Sequence, residues 1–226
     1  MINVCAKVVA ILQKIVLKNF SAGGSCDLFH HGIPQECLLP NDFEFYTGNL
    51  YGIIAEFGSG GAALSCCLTG NTKFFEGKIY IDDKKETLSS LVKNSWYVGY
   101  DIYGFRNPLR RKTIKEQISA GVKATHCELD ADTIQSMFCV SNQRAGRSIK
   151  RVSGERWKAS IAIGYAHGKK IFCYPWMNSS DIEHLKEQMK KNIEVLIDNN
   201  CIVVIPTTKE ENIKKISSQY NIINLD

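Results

Sequence analysis

The sequence predicts an α/β protein of the phosphate-loop (RecA-like) class: a mainly parallel sheet, an antiparallel β edge and a small helical subdomain. Three observations carry this. Residues 52–70 read as strand, glycine-rich turn and helix; short apolar runs elsewhere alternate with stretches of helical periodicity; and the composition shifts between residues 101 and 151.

At 226 residues the chain holds one α/β domain with room for a small insertion, and a second full domain is not expected. With 44% apolar and 23% charged residues it reads as soluble protein and not as a disordered chain. A net charge of +5 suits anionic headgroups or a partner and is too small to argue for nucleic acid. The nine cysteines include adjacent Cys66 and Cys67 and no CxxC spacing, which favours reduced thiols used as small apolar residues. The run over residues 4–17 is broken by Lys7 and Lys14, falls short of a membrane span and lacks a signal-peptide layout. A cytoplasmic protein is expected.

Along the chain, the apolar run 15–20 predicts a first strand, ended by Ser21-Ala22-Gly23-Gly24-Ser25. Residues 50–55 have the length of a buried strand, and a helix follows over about 62–68. Residues 77–84 alternate and predict a half-exposed strand or hairpin, and 91–100 a further strand-like segment. Two helical patterns at 114–120 and 131–140 lie in an all-helical insertion, taken as about 101–152, that begins with Arg106, Arg110, Arg111 and Lys112 around Pro108. Ser153 is the candidate N-cap of a helix in which Trp157, Ile161 and Tyr165 recur until Gly168. A strand at 171–174, a long helix from Asp181, a strand at 201–205, a helix at 210–220 and a last strand at 222–225 complete the pattern.

In a working phosphate loop, backbone N–H groups cradle phosphates, a lysine neutralises the β/γ oxygens and a hydroxyl holds Mg²⁺. Laid on GxxxxGK[ST], this chain has Ala55 at the first glycine, Gly61 at the lysine, and Ala62 and Ala63 at the hydroxyls. Glu56 adds a carboxylate to the turn, where it opposes a triphosphate. The loop Gly58, Ser59, Gly60, Gly61, Ala62 and Ala63 therefore has two readings: a weakened phosphate cradle, or a turn kept for the strand-to-helix connection.

The order of these parts resembles the nucleotide-binding subunit of ATP-binding cassette (ABC) transporters over nearly the whole chain. Residues 77–84 resemble the family's G-x-I-x-I-D-G-K hairpin, with Asp83 at the second glycine. Residues 98–103 resemble the segment ending in the Q-loop glutamine, which places Tyr103 there. Residues 151–158 resemble the LSGGERQR signature, and 170–176 the Walker B run LLLDEPT, with Cys173 at the magnesium-binding Asp and Tyr174 at the catalytic Glu. Residues 178–181 resemble the D-loop, one residue longer than usual, and 204–208 the final strand and switch, with Thr208 at the histidine.

The resemblance implies a degenerate cassette with impaired or absent ATP hydrolysis, pairing with a second, competent ABC cassette subunit and coupling it to a membrane permease subunit. It would sit peripherally on the inner face of the cell membrane. No catalytic or metal residues are assigned, and ATP would bind weakly or through a partner while Mg²⁺ would not bind. Ser153, Gly154 and Glu155 would reach the partner's nucleotide, the alternative being a plain helix cap. The Arg106, Arg110 and Arg111 cluster would face the permease or solvent, Trp157 and Tyr165 would be core, and Phe29 or Tyr46 would replace the adenine-stacking aromatic. The alternatives are an unconventional ATPase in which Lys73, Lys78 or an arginine replaces the lysine, and a transporter-independent scaffold.

Overall fold

The computed structural model describes residues 12–27, 31–72, 74–103 and 112–225. Two sheets enclose one small helix. Strands β1 (Lys14–Ser25), β2 (Gln35–Tyr46), β4 (Phe74–Ile81) and β5 (Lys84–Glu86) form an antiparallel sheet in the order β2-β1-β4-β5. Strands β3 (Asn49–Ile54), β6 (Ser95–Tyr97), β7 (Ile171–Cys173), β8 (Ile202–Thr207) and β9 (Asn221–Asn224) form a parallel sheet in the order β6-β7-β8-β3-β9.

The parallel strands read as unbroken apolar runs because both of their faces are covered. Successive residues serve different cores: Tyr51, Ile53, Ile171, Cys173, Ile202 and Val204 face the antiparallel sheet, and Leu50, Ile54, Phe172, Val203 and Ile205 face the opposite way. Between the sheets lies α1 (Gly61–Leu68), all eight of whose residues are buried. A helix walled in on every side needs small side chains, which explains the sequence Gly-Ala-Ala-Leu-Ser-Cys-Cys-Leu better than amphipathicity does. Cys26, Cys66, Cys67, Cys173 and Cys201 are buried free thiols, in keeping with their use as apolar residues. Burial raises the thiol pKa of Cys67, Cys173 and Cys201, that of Cys67 to about 12.

On the far side of the parallel sheet, α6 (Arg156–Ala166) packs with α3 (Ile114–Thr125), α4 (Ala131–Met137) and α7 (Ser179–Asp198), and α5 (Asn142–Ala145) packs against α3. No helix among the described residues is long and apolar enough to cross a membrane.

The structure corrects several expectations. Strand β1 runs on through Ser21–Ser25, its register slipping at two bulges, because Gly23 and Gly24 still pair with Cys37 and Glu36. Residues 91–94 belong to a helix, α2 (Leu88–Asn94), whose Thr87 side chain accepts from Ser90 N. Helix α8 spans only Glu210–Lys214. Ser153 does not cap α6: the cap position is Glu155, which makes no side-chain capping bond. Helix α7 is capped one turn before its predicted start, with Asn178 accepting from Ser180 N and Asp181 N, and Asp181 accepting in return from Asn178 N. In the β4–β5 hairpin, Asp82 and Asp83 take the left-handed conformation usually left to Asn-Gly, at φ 49° and 65°. The Asp82 carboxylate stabilises the turn by accepting from the backbone N–H groups of Gln13 and Lys14 at 2.8 and 2.9 Å.

Candidate functional site

The turn between β3 and α1 contains Gly58, Ser59 and Gly60, and Gly61, Ala62 and Ala63 are the first residues of the helix. Gly58 and Gly60 have φ of +92° and +96°, so successive backbone N–H groups converge as in an anion nest. That nest already holds an anion. The carboxylate of Glu36, on β2, accepts from Gly58 N at 2.8 Å through Oε1 and from Gly60 N at 3.1 Å through Oε2. Glu36 is only 3% exposed. The carboxylate identified in the sequence as hostile to phosphate, Glu56, instead lies exposed at the surface.

The backbone of β2 closes the loop further. A Cβ on Gly60 would stand 2.5 Å from Leu38 Cα and 2.9 Å from the Cys37 carbonyl oxygen. At the lysine position, a Cβ on Gly61 would meet Pro206 Cβ at 3.0 Å, Ala55 Cβ at 3.2 Å and Trp176 Cδ1 at 3.8 Å. The Trp176 indole donates to the Ala55 carbonyl at 3.0 Å and meets the Phe57 ring edge to face at 5.2 Å. His31 also packs against Trp176, and its Nε2 lies 2.6 Å from Asp181 Oδ2 at the start of α7. The residues from 31 to 38 thus bind both the loop and the start of α7.

The remaining positions are apolar or already engaged. Cys173 is fully buried, and burial raises its thiol pKa. Tyr174 points to the other core, where its ring stacks on Trp157 at 5.7 Å and 18°. Its hydroxyl has no partner among the described residues. Thr207 donates to the Met177 carbonyl at 2.7 Å, and Asn212 Nδ2 donates to Thr207 at 2.8 Å and to Thr208 at 3.4 Å. These residues do not fit Mg-ATP: the nest is filled by a carboxylate, no cation stands at residue 61, and residues 62, 63 and 173 offer a hard metal ion no oxygen ligand. Among the described residues no cluster of histidine, cysteine, aspartate or glutamate has the makings of a metal site.

Ser153, Gly154 and Glu155 lie on the opposite side of the parallel sheet from α1, at the start of α6. Ser153 and Gly154 are exposed. The Glu155 carboxylate is turned toward the N-terminus of α5 and accepts from Ser141 N at 3.0 Å and Ser141 Oγ at 3.1 Å. Tyr103 sits just beyond a segment fastened to α6: Ser160 Oγ accepts from Gly99 N at 2.7 Å and donates to the Tyr100 carbonyl at 2.6 Å, and Arg156 Nε donates to the Gly99 carbonyl at 2.8 Å. Trp157 is core, and Tyr165, partly buried, donates its hydroxyl to Asn199. Tyr46 is 46% exposed at the other end of β2 from Glu36 and bonds Glu44. Lys78 is exposed on β4, opposite Lys18. Phe29, Lys73, Arg106, Arg110 and Arg111 lie outside the described residues.

Glu36 is the site residue that sequence reasoning missed. It lies more than twenty residues before the turn, in a segment with no motif, and only strand pairing brings it there.

No protein-family model matches the sequence, and a search of curated proteins finds no match. Solved structures do match. An ABC transporter ATP-binding protein from Pyrococcus furiosus superposes with a TM-score of 0.62 at 14% identity, covering 94% of this chain and 97% of that one. For cbiO1 from Clostridium perfringens, part of the ABC transporter complex cbiONQ, the TM-score is 0.65 at 16% identity over 95% and 85% of the two chains. The ATP-binding cassette MJ0796, a dimer in a post-hydrolysis state bound to ADP and Pi, gives 0.61 at 19% identity over 94% of each chain. At these identities the likeness is one of fold: the chain has the fold of the ATP-binding cassettes of ABC transporters.

Proposed function

We propose that this chain is a non-hydrolysing cassette subunit of a membrane transporter. It pairs with a catalytically competent cassette and couples it to a membrane permease subunit. The observation that carries the reading is the wholesale replacement of the chemistry within an intact scaffold: glycine, alanine, cysteine, tyrosine and threonine stand at 61, 62, 173, 174 and 208. Phosphoryl transfer needs a cation on the γ-phosphate, a bound metal and an oriented water, and loss of a single transition-state cation such as an arginine finger costs roughly 10³–10⁵ in rate. A chain that lacks all of them contributes contacts and not turnover.

Two cassettes seen in a dimer, and a cassette seen as part of a larger complex, support the pairing by analogy of fold. Exposed Ser153 and Gly154, at the positive end of an α6 helix without a side-chain cap, are the groups offered to a nucleotide held by the partner. With the Glu155 carboxylate turned toward Ser141, that offer rests on the first two residues.

The test is the Mg-ATP turnover of the purified chain, alongside affinity isolation from detergent-solubilised native membranes. The expected result is turnover no higher than buffer, with a second cassette carrying intact Walker residues and a polytopic membrane protein in the isolate. Magnesium-dependent hydrolysis lost on substituting Gly60 or Gly61 would overturn the reading, as would an isolate of soluble proteins only.

A further inference from the structure

The phosphate loop keeps its cradle shape although the fold's usual ligand does not fit. We infer that this cradle is a carboxylate-binding site and that its resident ligand is the chain's own Glu36, an internal anion standing in for a phosphate. The inference concerns the isolated chain and does not depend on the pairing proposed above.

Both carboxylate oxygens are used, one on Gly58 N at 2.8 Å and one on Gly60 N at 3.1 Å. The glycines that present these N–H groups adopt φ above +90°, which few other residues tolerate. A Cβ on Gly58 would meet nothing within 4 Å, so packing does not demand glycine there; the conformation that aims its N–H at the carboxylate does. A loop that had become a mere connection would have no need to keep converging donors. A buried carboxylate in turn is stable only where donors surround it, and Glu36 at 3% exposure meets that condition through the loop. Loop and glutamate therefore satisfy one another.

The position of Glu36 is fixed from both sides. Gln35 Nε2 donates to Ser25 Oγ at 2.8 Å, Glu36 pairs with Gly24 in the sheet, and Leu38 Cα lies against Gly60. A nucleotide seeking the loop would have to displace a strand residue of the antiparallel sheet as well as a carboxylate.

The test is chemical rescue in the full chain. Glu36→Ala leaves a gap about the size of acetate beside two N–H donors. The expected result is a lower melting temperature than wild type, raised saturably by sodium acetate or formate at neutral pH and not by sodium chloride of equal ionic strength. Wild type should show no such carboxylate-specific rise. The second measurement is amide hydrogen exchange at Gly58 and Gly60, which should be at least about tenfold faster in Glu36→Gln than in wild type. A folded Glu36→Ala that acetate and formate do not rescue would overturn the inference. So would unchanged exchange in Glu36→Gln, which serves if the alanine variant does not fold. So too would wild type whose Gly58 and Gly60 amides shift on adding inorganic pyrophosphate, since the cradle would then be open. None of these readouts involves hydrolysis or a partner, so they can fail while the transporter reading stands, and the reverse.

Discussion

Replacing Ser160 with alanine should destabilise the protein more than the loss of one oxygen suggests. This fully buried hydroxyl accepts from Trp96 Nε1 at 3.0 Å and from Gly99 N at 2.7 Å and donates to the Tyr100 carbonyl at 2.6 Å. Alanine leaves two buried donors without an acceptor. Each costs about 1–3 kcal/mol, so the loss should be about 2–6 kcal/mol. Against a total of about 5–15 kcal/mol for a domain this is a large fraction. A central loss of about 3 kcal/mol lowers Tm by roughly 6–12 °C for a chain of this size. Urea unfolding gives the free energy. Exchange of the Gly99 amide gives the local effect, because its protection should fall before global unfolding. The double variant Trp96→Phe/Ser160→Ala should be less destabilised than the sum of the single variants, since phenylalanine removes one orphaned donor. A Ser160→Ala loss below about 0.5 kcal/mol, with Gly99 still protected, would refute the claim that this hydroxyl fastens the segment before Tyr103 to α6.

Two further substitutions probe the same helix. Gly164→Ala gains about 1 kcal/mol in helix propensity, but the new Cβ would lie 2.6 Å from Cγ of Trp96, whose ring is held by its bond to Ser160. Overpacking of about 1–3 kcal/mol should outweigh the gain, and a raised urea midpoint would contradict this. Burial holds the His167 imidazole below its ordinary pKa, with Nε2 against the Gln117 carbonyl at 3.2 Å. The folded state therefore prefers the neutral ring, a contribution complete above the unfolded pKa of about 6.5 and lost as pH falls through the lower folded value. Tm measured from pH 7 downward should drop more steeply in wild type than in His167→Gln, and parallel curves would count against it.

Much of this architecture was legible because the apolar patterns are local. The run 50–55 and the glycine turn after it announce a buried strand entering a helix, and residues 77–84 carry the alternation of a hairpin. The errors have physical causes. Gly23 and Gly24 look like a break, yet they extend a strand because Gly23 is paired on both sides, by β2 and β4, and Gly24 by β2, which supplies the pairing that the residues' own propensity does not favour. Ser153 has the chemistry of a cap, but α6 begins three residues later, leaving it outside the first turn. At the site, the glycine, alanine, cysteine and tyrosine at 61, 62, 173 and 174 can be read from the sequence by position, whereas the groups that fill the space, Glu36, Leu38 and Trp176, come from distant segments joined only by topology.

The crowding at Gly61 bears on reversibility. Placing lysine at that one position would set its first carbon against Pro206 and Ala55, beside the Trp176 ring, and its ammonium next to a loop whose anion is already supplied from within. Installing a phosphate-binding lysine in this chain is therefore a concerted redesign of β2, β8 and the turn after β7. A lysine there alone would require β8 and Ala55 to give way by a few tenths of an ångström before its side chain could extend.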